Sequence, residues 1–280
     1  MKVATYNIHK CVGTDGRSRP DRIIAVLKEI GAEVVALQEA DRRFGQRIGL
    51  LDLEALRQET GLRLLAQSDA PDGHGWHGNA LLVAREPVSY RRTRIRLPGV
   101  EPRGAILVDL DLGDGPFRII AAHFGLLRRS RVSQAGAIVS AFGRLPPMPT
   151  VLLGDLNEWR ARRGSSLNVF EPLFGEPKPL ASFPSRRPMF PLDRIFGWPR
   201  GLVHDHAVHD TPLARKASDH LPLTAKVDLS GHGPAFLQSV PDATTPDAAP
   251  TAGPDGSRLR RARRLISVTS LRRRAREKSS

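Results

Sequence analysis

Thr150-Val151-Leu152-Leu153-Gly154-Asp155-Leu156-Asn157-Glu158 is an apolar run that stops at a glycine and is followed at once by polar side chains. That is the pattern of a buried strand whose tip carries polar groups into a cleft. If the strand continues through this tip, the two-residue spacing puts Asp155 and Asn157 on one side. Two hard oxygen donors pointing together suit a divalent cation, a water, or both. The competing reading is a surface turn, since Gly, Asp and Asn all favour turns.

The flanking sequence supports the strand. Upstream, Ser130–Leu145 reads as a helix with Val132, Ala135, Ile138, Val139 and Phe142 on one face. Lys2–Ile8, Glu33–Gln38, Leu62–Gln67, Ala80–Ala84, Val88–Arg96, Ala105–Leu112 and Phe117–Ala122 read as further strands, with Gly113-Asp114-Gly115 turning between the last two. Pro20–Glu29 and Leu51–Thr60 read as helices that end at Gly31 and Gly61. Residues 158–190 are rich in loops, and Leu192–Phe196 and Leu221–Val227 are short strands. A wholly parallel sheet needs a helix between most strands, and here hairpins intervene. The expected fold is α/β, with two mixed β-sheets packed together and flanked by helices as a four-layer sandwich.

The chain of 280 residues carries a net charge of +14. Residues 231–280 contribute +6 of this and the remainder +8. A basic body favours phosphate-bearing partners such as nucleic acid, nucleotides or anionic lipid heads. The single Cys11 excludes an internal disulfide framework and fits a reducing compartment. The opening residues lack a signal-peptide apolar segment, and no apolar run is long enough to span a bilayer. The sequence is therefore read as a cytoplasmic monomer. The folded domain is placed at 1–230 and a disordered linker at 231–257. The tail 258–280 is read as a basic amphipathic segment, able to lie on an anionic membrane or nucleic acid, the alternative being a disordered charged tail.

Several polar groups stand beside predicted strands: Asn7, Glu39, His123, Asp155 with Asn157, Asp193, and Ser218-Asp219-His220. One Glu or His beside a strand is most often structural; this many in one α/β body is a different matter. Tyr6-Asn7-Ile8-His9, Gln38-Glu39, Gly78-Asn79-Ala80, Ala122-His123-Phe124, Gly154-Asp155-Leu156-Asn157, Leu192-Asp193-Arg194-Ile195 and Ser218-Asp219-His220 together resemble the endonuclease/exonuclease/phosphatase superfamily of DNase I-like phosphoesterases. The resemblance covers about residues 1–228.

The resemblance implies Mg²⁺, with Mn²⁺ as a substitute, held by Glu39 with Asn7 and Asp219. It implies that Asp155 takes a proton from the attacking water or orients it, and that Asn157 holds a phosphoryl oxygen or that water. It pairs His220 with Asp193 and sets His123 at the phosphate or leaving group, which leans away from exonuclease III-like enzymes. Asn79 would hydrogen-bond within the site. Arg103 is either a phosphate fork or a structural salt bridge.

Two positions depart from the pattern. His9 stands where some members carry an Asp, which weakens the case for a second metal. The partner that orients His123 is not legible, His77 being a candidate; His204-Asp205-His206 is a weak alternative metal set. Arg160–Arg163 and Arg128, Arg129 and Arg131 either track a phosphate backbone or are solvated. The expected activity is hydrolysis of a phosphodiester in nucleic acid or a phospholipid-like substrate. The alternatives are a phosphomonoesterase of inositol, sugar or nucleotide phosphates, and a non-catalytic anion-binding module.

Overall fold

The computed structural model describes residues 1–42, 48–65, 72–160, 164–176 and 178–231. The linker and tail expected at 231–280 therefore lie outside the described residues from 232 onward, as do Ala66–Gln67 and Ala161–Arg163.

Eleven strands and five helices follow in chain order among the described residues: β1 Lys2–Asn7, α1 Pro20–Ile30, β2 Val34–Gln38, α2 Leu53–Thr60, β3 Arg63–Leu65, β4 Ala80–Val83, β5 Ser89–Leu97, β6 Arg103–Asp111, β7 Pro116–His123, α3 Arg128–Phe142, β8 Thr150–Asp155, α4 Glu171–Phe174, β9 Asp193–Trp198, β10 Val203–Val208, α5 Pro212–Ala217 and β11 Leu223–Val227. They form a six-stranded sheet in the order β10-β11-β1-β2-β4-β3 and a five-stranded sheet in the order β5-β6-β7-β8-β9. Both are mixed: β1 runs parallel to β2 and β7 parallel to β8, and the other pairs are antiparallel.

Three apolar cores make the four layers. Val3, Ile106, Ile119 and Leu153 belong to the core between the sheets. Ile23, Leu27, Val35 and Leu56 join the first sheet to α1 and α2. Leu107, Ile120, Ala135, Ile138 and Phe170 join the second sheet to α3. Strands buried on both faces lose the polar alternation of a half-exposed sheet, which is why β2 and β8 read as unbroken apolar runs.

Local signals explain the boundaries. Pro20 opens α1, and Gly31 closes it with φ 57° and an N–H to the Leu27 carbonyl. The Asp52 side chain caps α2 by accepting from the N–H groups of Glu54 and Ala55. β10 and α5 were not expected. β10 is an exposed sheet edge reading Val-His-Asp-His-Ala-Val, without apolar alternation. α5 is six residues, marked only by the Thr211 cap and Pro212. The face expected of α3 is also different: Val132 is exposed, while Arg131 and Gln134 are buried. Gln134 accepts the Gly125 N–H, and Arg131 reaches the Leu126 carbonyl, Ser166 and Glu158. The first half of α3 thus serves the loops beside the cleft through polar contacts that hydrophobic periodicity does not register.

Candidate active site

Strand register brings the polar groups together. His123 at the end of β7 lies opposite Asp155 at the end of β8, and Asp155 lies opposite Asp193 at the start of β9. Side chains level with one another on adjacent strands share a face. From the other sheet, the end of β1 delivers Asn7, whose amide Nδ2 donates to Asp155 Oδ2 at 2.9 Å.

Gly154 makes this approach possible. Its φ is +148°, and an added Cβ would lie 1.9 Å from the Ala122 carbonyl oxygen. Only glycine allows the backbones to pass so closely.

Asp155 is almost fully buried. Its Oδ1 accepts the Asn157 N–H at 3.0 Å. His123 Nε2 is 3.3 Å and His220 Nε2 3.8 Å from its Oδ2. Burial pushes the carboxyl up to about 6, with Asp193 adding to the rise and His220 opposing it. Asn157 does not share a strand face with Asp155, contrary to the spacing argument: β8 ends at Asp155 and Asn157 has φ 51°. It forms a tight turn instead, and its amide donates to the Phe124 carbonyl at 2.9 Å.

His220 Nδ1 lies 2.9 Å from Asp193 Oδ2, the same oxygen that accepts from Ser182 Oγ at 2.5 Å. Burial alone would lower the imidazole, but Asp193 and Asp155 outweigh it and raise it to about 10. The two carboxylates thus favour the imidazolium form, in which Nδ1–H donates to Asp193.

The segment Ser182–Ser185 fastens this pair. Its Ser182 carbonyl accepts the Leu221 N–H, Ser185 N–H donates to the Asp219 carbonyl, and Ser185 Oγ donates to the Ser218 carbonyl. The Phe183 ring packs at 4.8 Å from the His220 ring. These residues lie in the stretch read as loop, and the sequence carries no sign of their role.

His123 is oriented by Arg103, not His77: Arg103 Nη1 lies 3.0 Å from each ring nitrogen, and its Nη2 donates to Glu101 at 2.9 Å. The ring is thus held between the Arg103 guanidinium and the Asp155 carboxylate. Of the two readings of Arg103, the salt bridge is present, and the residue also lines the cleft. Asn79 is fully buried. It donates to the Trp76 and Gly104 carbonyls, so it holds the loop that presents His77 and does not line the cleft wall. Glu158 was not anticipated; it is fully buried and accepts from the Ser166 N–H and Oγ, fixing the loop after Asn157. Arg131 is buried against it, so it does not track a phosphate backbone.

Glu39 follows β2 with φ 57° and meets the Lys10 ammonium at 2.6 Å. His9, Lys10 and Cys11 all have positive φ; this unusual run turns the chain so that Lys10 reaches Glu39. Asn7 Oδ1 accepts the His9 N–H at 3.0 Å, and His9 Nδ1 lies 3.7 Å from Asp219. Glu39, Asp219 and Asn7 carry hard oxygen donors of the type Mg²⁺ takes, and the Asn7 oxygen is already engaged by the His9 N–H. The positive charge now on Glu39 comes from a side chain 42% exposed, which can swing out to water.

Asp155, Asp193 and His220 also present ligand atoms within 4.8 Å of one another. Within this trio only His220 Nδ1 and Asp193 Oδ2 are hydrogen-bonded, and His220 Nε2 stands 3.8 Å from Asp155, so the cluster has the donors for a metal ion as well as for moving a proton. His206 Nε2 bonds the Ile195 carbonyl at 3.0 Å, and the residues His204, Asp205 and His206 do not gather as a metal-ligating group among the described residues.

Two packed mixed sheets with carboxylates, carboxamides and imidazoles gathered at their strand ends define a DNase I-like α/β sandwich. Residues 4–220 match the Endonuclease/Exonuclease/phosphatase family, and the chain belongs to it. Members of this family are hydrolases acting on phosphate esters.

Similar solved structures include an endonuclease/exonuclease/phosphatase from Beutenbergia cavernae (21% identity, 81% of this chain and 71% of that one, TM-score 0.57). Others are a mannosyl-6-phosphatase from Bacteroides thetaiotaomicron (17%, 81% and 99%, 0.57) and the human Nocturnin catalytic domain with bound sulfate (20%, 80% and 93%, 0.56). At these identities the likeness establishes the fold. No curated protein matches the sequence.

Proposed function

We propose that the chain is a divalent-metal-dependent phosphodiesterase. The observation that carries this reading is Asp155, buried, fixed by the Asn7 amide and the Asn157 N–H, and flanked by His123 and His220. A carboxylate raised to about 6 is ionised at neutral pH yet basic enough to take a proton from water. In the proposed reaction a water oxygen attacks phosphorus and its proton passes to Asp155. The bond to the leaving oxygen breaks, and that oxygen takes a proton from the His220 imidazolium. Asp193 keeps His220 charged and aimed. One Asn157 amide hydrogen serves a phosphoryl oxygen, and His123 stands beside the same group. Mg²⁺, or Mn²⁺ in its place, held by Glu39, Asp219 and Asn7, would draw charge from the phosphoryl oxygens.

The body's positive charge favours an anionic diester such as nucleic acid. The phosphomonoesterase reading draws its support from the name of the Bacteroides relative. A substrate panel decides: plasmid DNA, RNA, phosphoinositides, sphingomyelin and mannose 6-phosphate, each with Mg²⁺. Cleavage of a diester supports the proposal, and release of phosphate from monoesters alone replaces it with the second reading. Binding of DNA or lipid without turnover of any ester makes the chain an anion-binding module.

A further inference from the structure

We infer a second phosphate subsite beside the cleft, built on Arg96, so that the substrate carries a phosphate beyond the one hydrolysed. This rests on the phosphoesterase reading and names the kind of substrate it takes. Two cavities meet across a lip formed by His77, Pro102 and Arg103. The one holding Glu39 and His123 has a volume of about 50 Å³. That is small beside the ~300 Å³ at which ligand pockets usually begin, so it does not take a whole substrate. The adjoining cavity is about 600 Å³ and has Arg96 in its wall.

The strand register makes Arg96 unusual. Arg92, Arg94 and Arg96 on β5 lie opposite Val108, Ile106 and Gly104 on β6. Val108 and Ile106 enter the core between the sheets, whereas Ile95 and Leu97 pack on the α3 side. The arginines therefore occupy the phase that is apolar one strand further in. Charge on an edge strand also blocks unwanted sheet pairing, but that role calls for no cavity joined to a catalytic cleft.

The lip is rigidly built. The Arg94 guanidinium covers the Trp76 ring at 4.9 Å, and Trp76 meets His77 edge to face at 4.6 Å. Both rings lie against Gly104, where an added Cβ would fall 2.6 Å from Trp76 Nε1. Arg96 makes no ion pair among the described residues, which leaves a planar fork suited to phosphate.

The test is calorimetric binding of matched ligands to the full chain in EDTA, where no metal-dependent turnover intervenes. Thymidine 3′,5′-bisphosphate is expected to bind about tenfold tighter than thymidine 3′-monophosphate. Arg96→Gln should reduce that ratio to about twofold or less. Inositol 1,4-bisphosphate against inositol 1-phosphate forms a second arm, and the pair with the larger ratio identifies the source of the second phosphate. A ratio near one in the wild type, or one unchanged by Arg96→Gln, overturns the subsite. Failure of the catalytic reading shows separately, as absence of Mg²⁺-dependent ester turnover, and leaves this binding ratio decisive.

Discussion

At the scale of single residues, the proposed reaction rests on two groups whose protonation equilibria are shifted upward. Asp155 must be ionised to accept a proton, and its value is raised to about 6; His220 must be charged, and its value is raised to about 10. The rate should therefore rise with pH through about 6 and fall through about 10, seen as a broad bell in kcat against pH. An acid limb near 4 would show that Asp155 is not the base. Lys10 gives a second prediction. Its ammonium neutralises the carboxylate that the metal would use, so Lys10→Met should tighten Mn²⁺ binding measured by electron paramagnetic resonance. The pair is partly exposed, and about 1 kcal/mol, or roughly fivefold, is expected; unchanged or weaker binding would contradict it. Asp155, Asp193, His123 and His220 were legible in the sequence because each abuts an apolar strand. Lys10, Arg103 as the orienting partner of His123, and Ser182 were not. Their contacts are set by backbone turns and distant loops, which leave no periodic trace.

At the scale of elements, the decisive contact is the close passage of β7 and β8 at Gly154. Gly154→Ala should cost about 3 kcal/mol of stability through strain and overpacking, read as a fall in urea midpoint, and should lower activity by displacing Asp155. A variant as stable and active as the wild type would show that the strands have room to part. Ten of the strands were visible as apolar or alternating runs, with β10 the exception. Glycines marked the ends of α1 and α2, as expected. The spacing rule failed at Asn157, because β8 ends at Asp155 and the two-residue period no longer applies beyond it. The buried face of α3 was misread because Arg131 and Gln134 are inside for their hydrogen bonds. β5 shows the same limit: alternation puts Arg92, Arg94 and Arg96 on one face, and only the sheet register tells which face it is.

At the scale of the whole molecule, the two sheets bring strand ends together that, in the proposed reaction, supply different parts of one chemistry. The six-stranded sheet brings Asn7 and Glu39, and the five-stranded sheet brings His123, Asp155 and Asp193. No helix among the described residues is long and apolar enough to cross a membrane. Positive charge draws anionic substrate toward the basic body, and residues 231–280 add a further net +6. Removing that segment should leave turnover of a small ester unchanged while weakening binding to anionic vesicles or DNA. Loss of small-ester turnover would place the segment within the catalytic body. The central claim, that these strand ends form one hydrolytic centre around Asp155, has a direct measurement: Mg²⁺-supported hydrolysis of bis-p-nitrophenyl phosphate by wild type and Asp155→Asn. The account predicts turnover that EDTA abolishes and that falls about 10³-fold in the folded variant. Equal rates in the two proteins would contradict it.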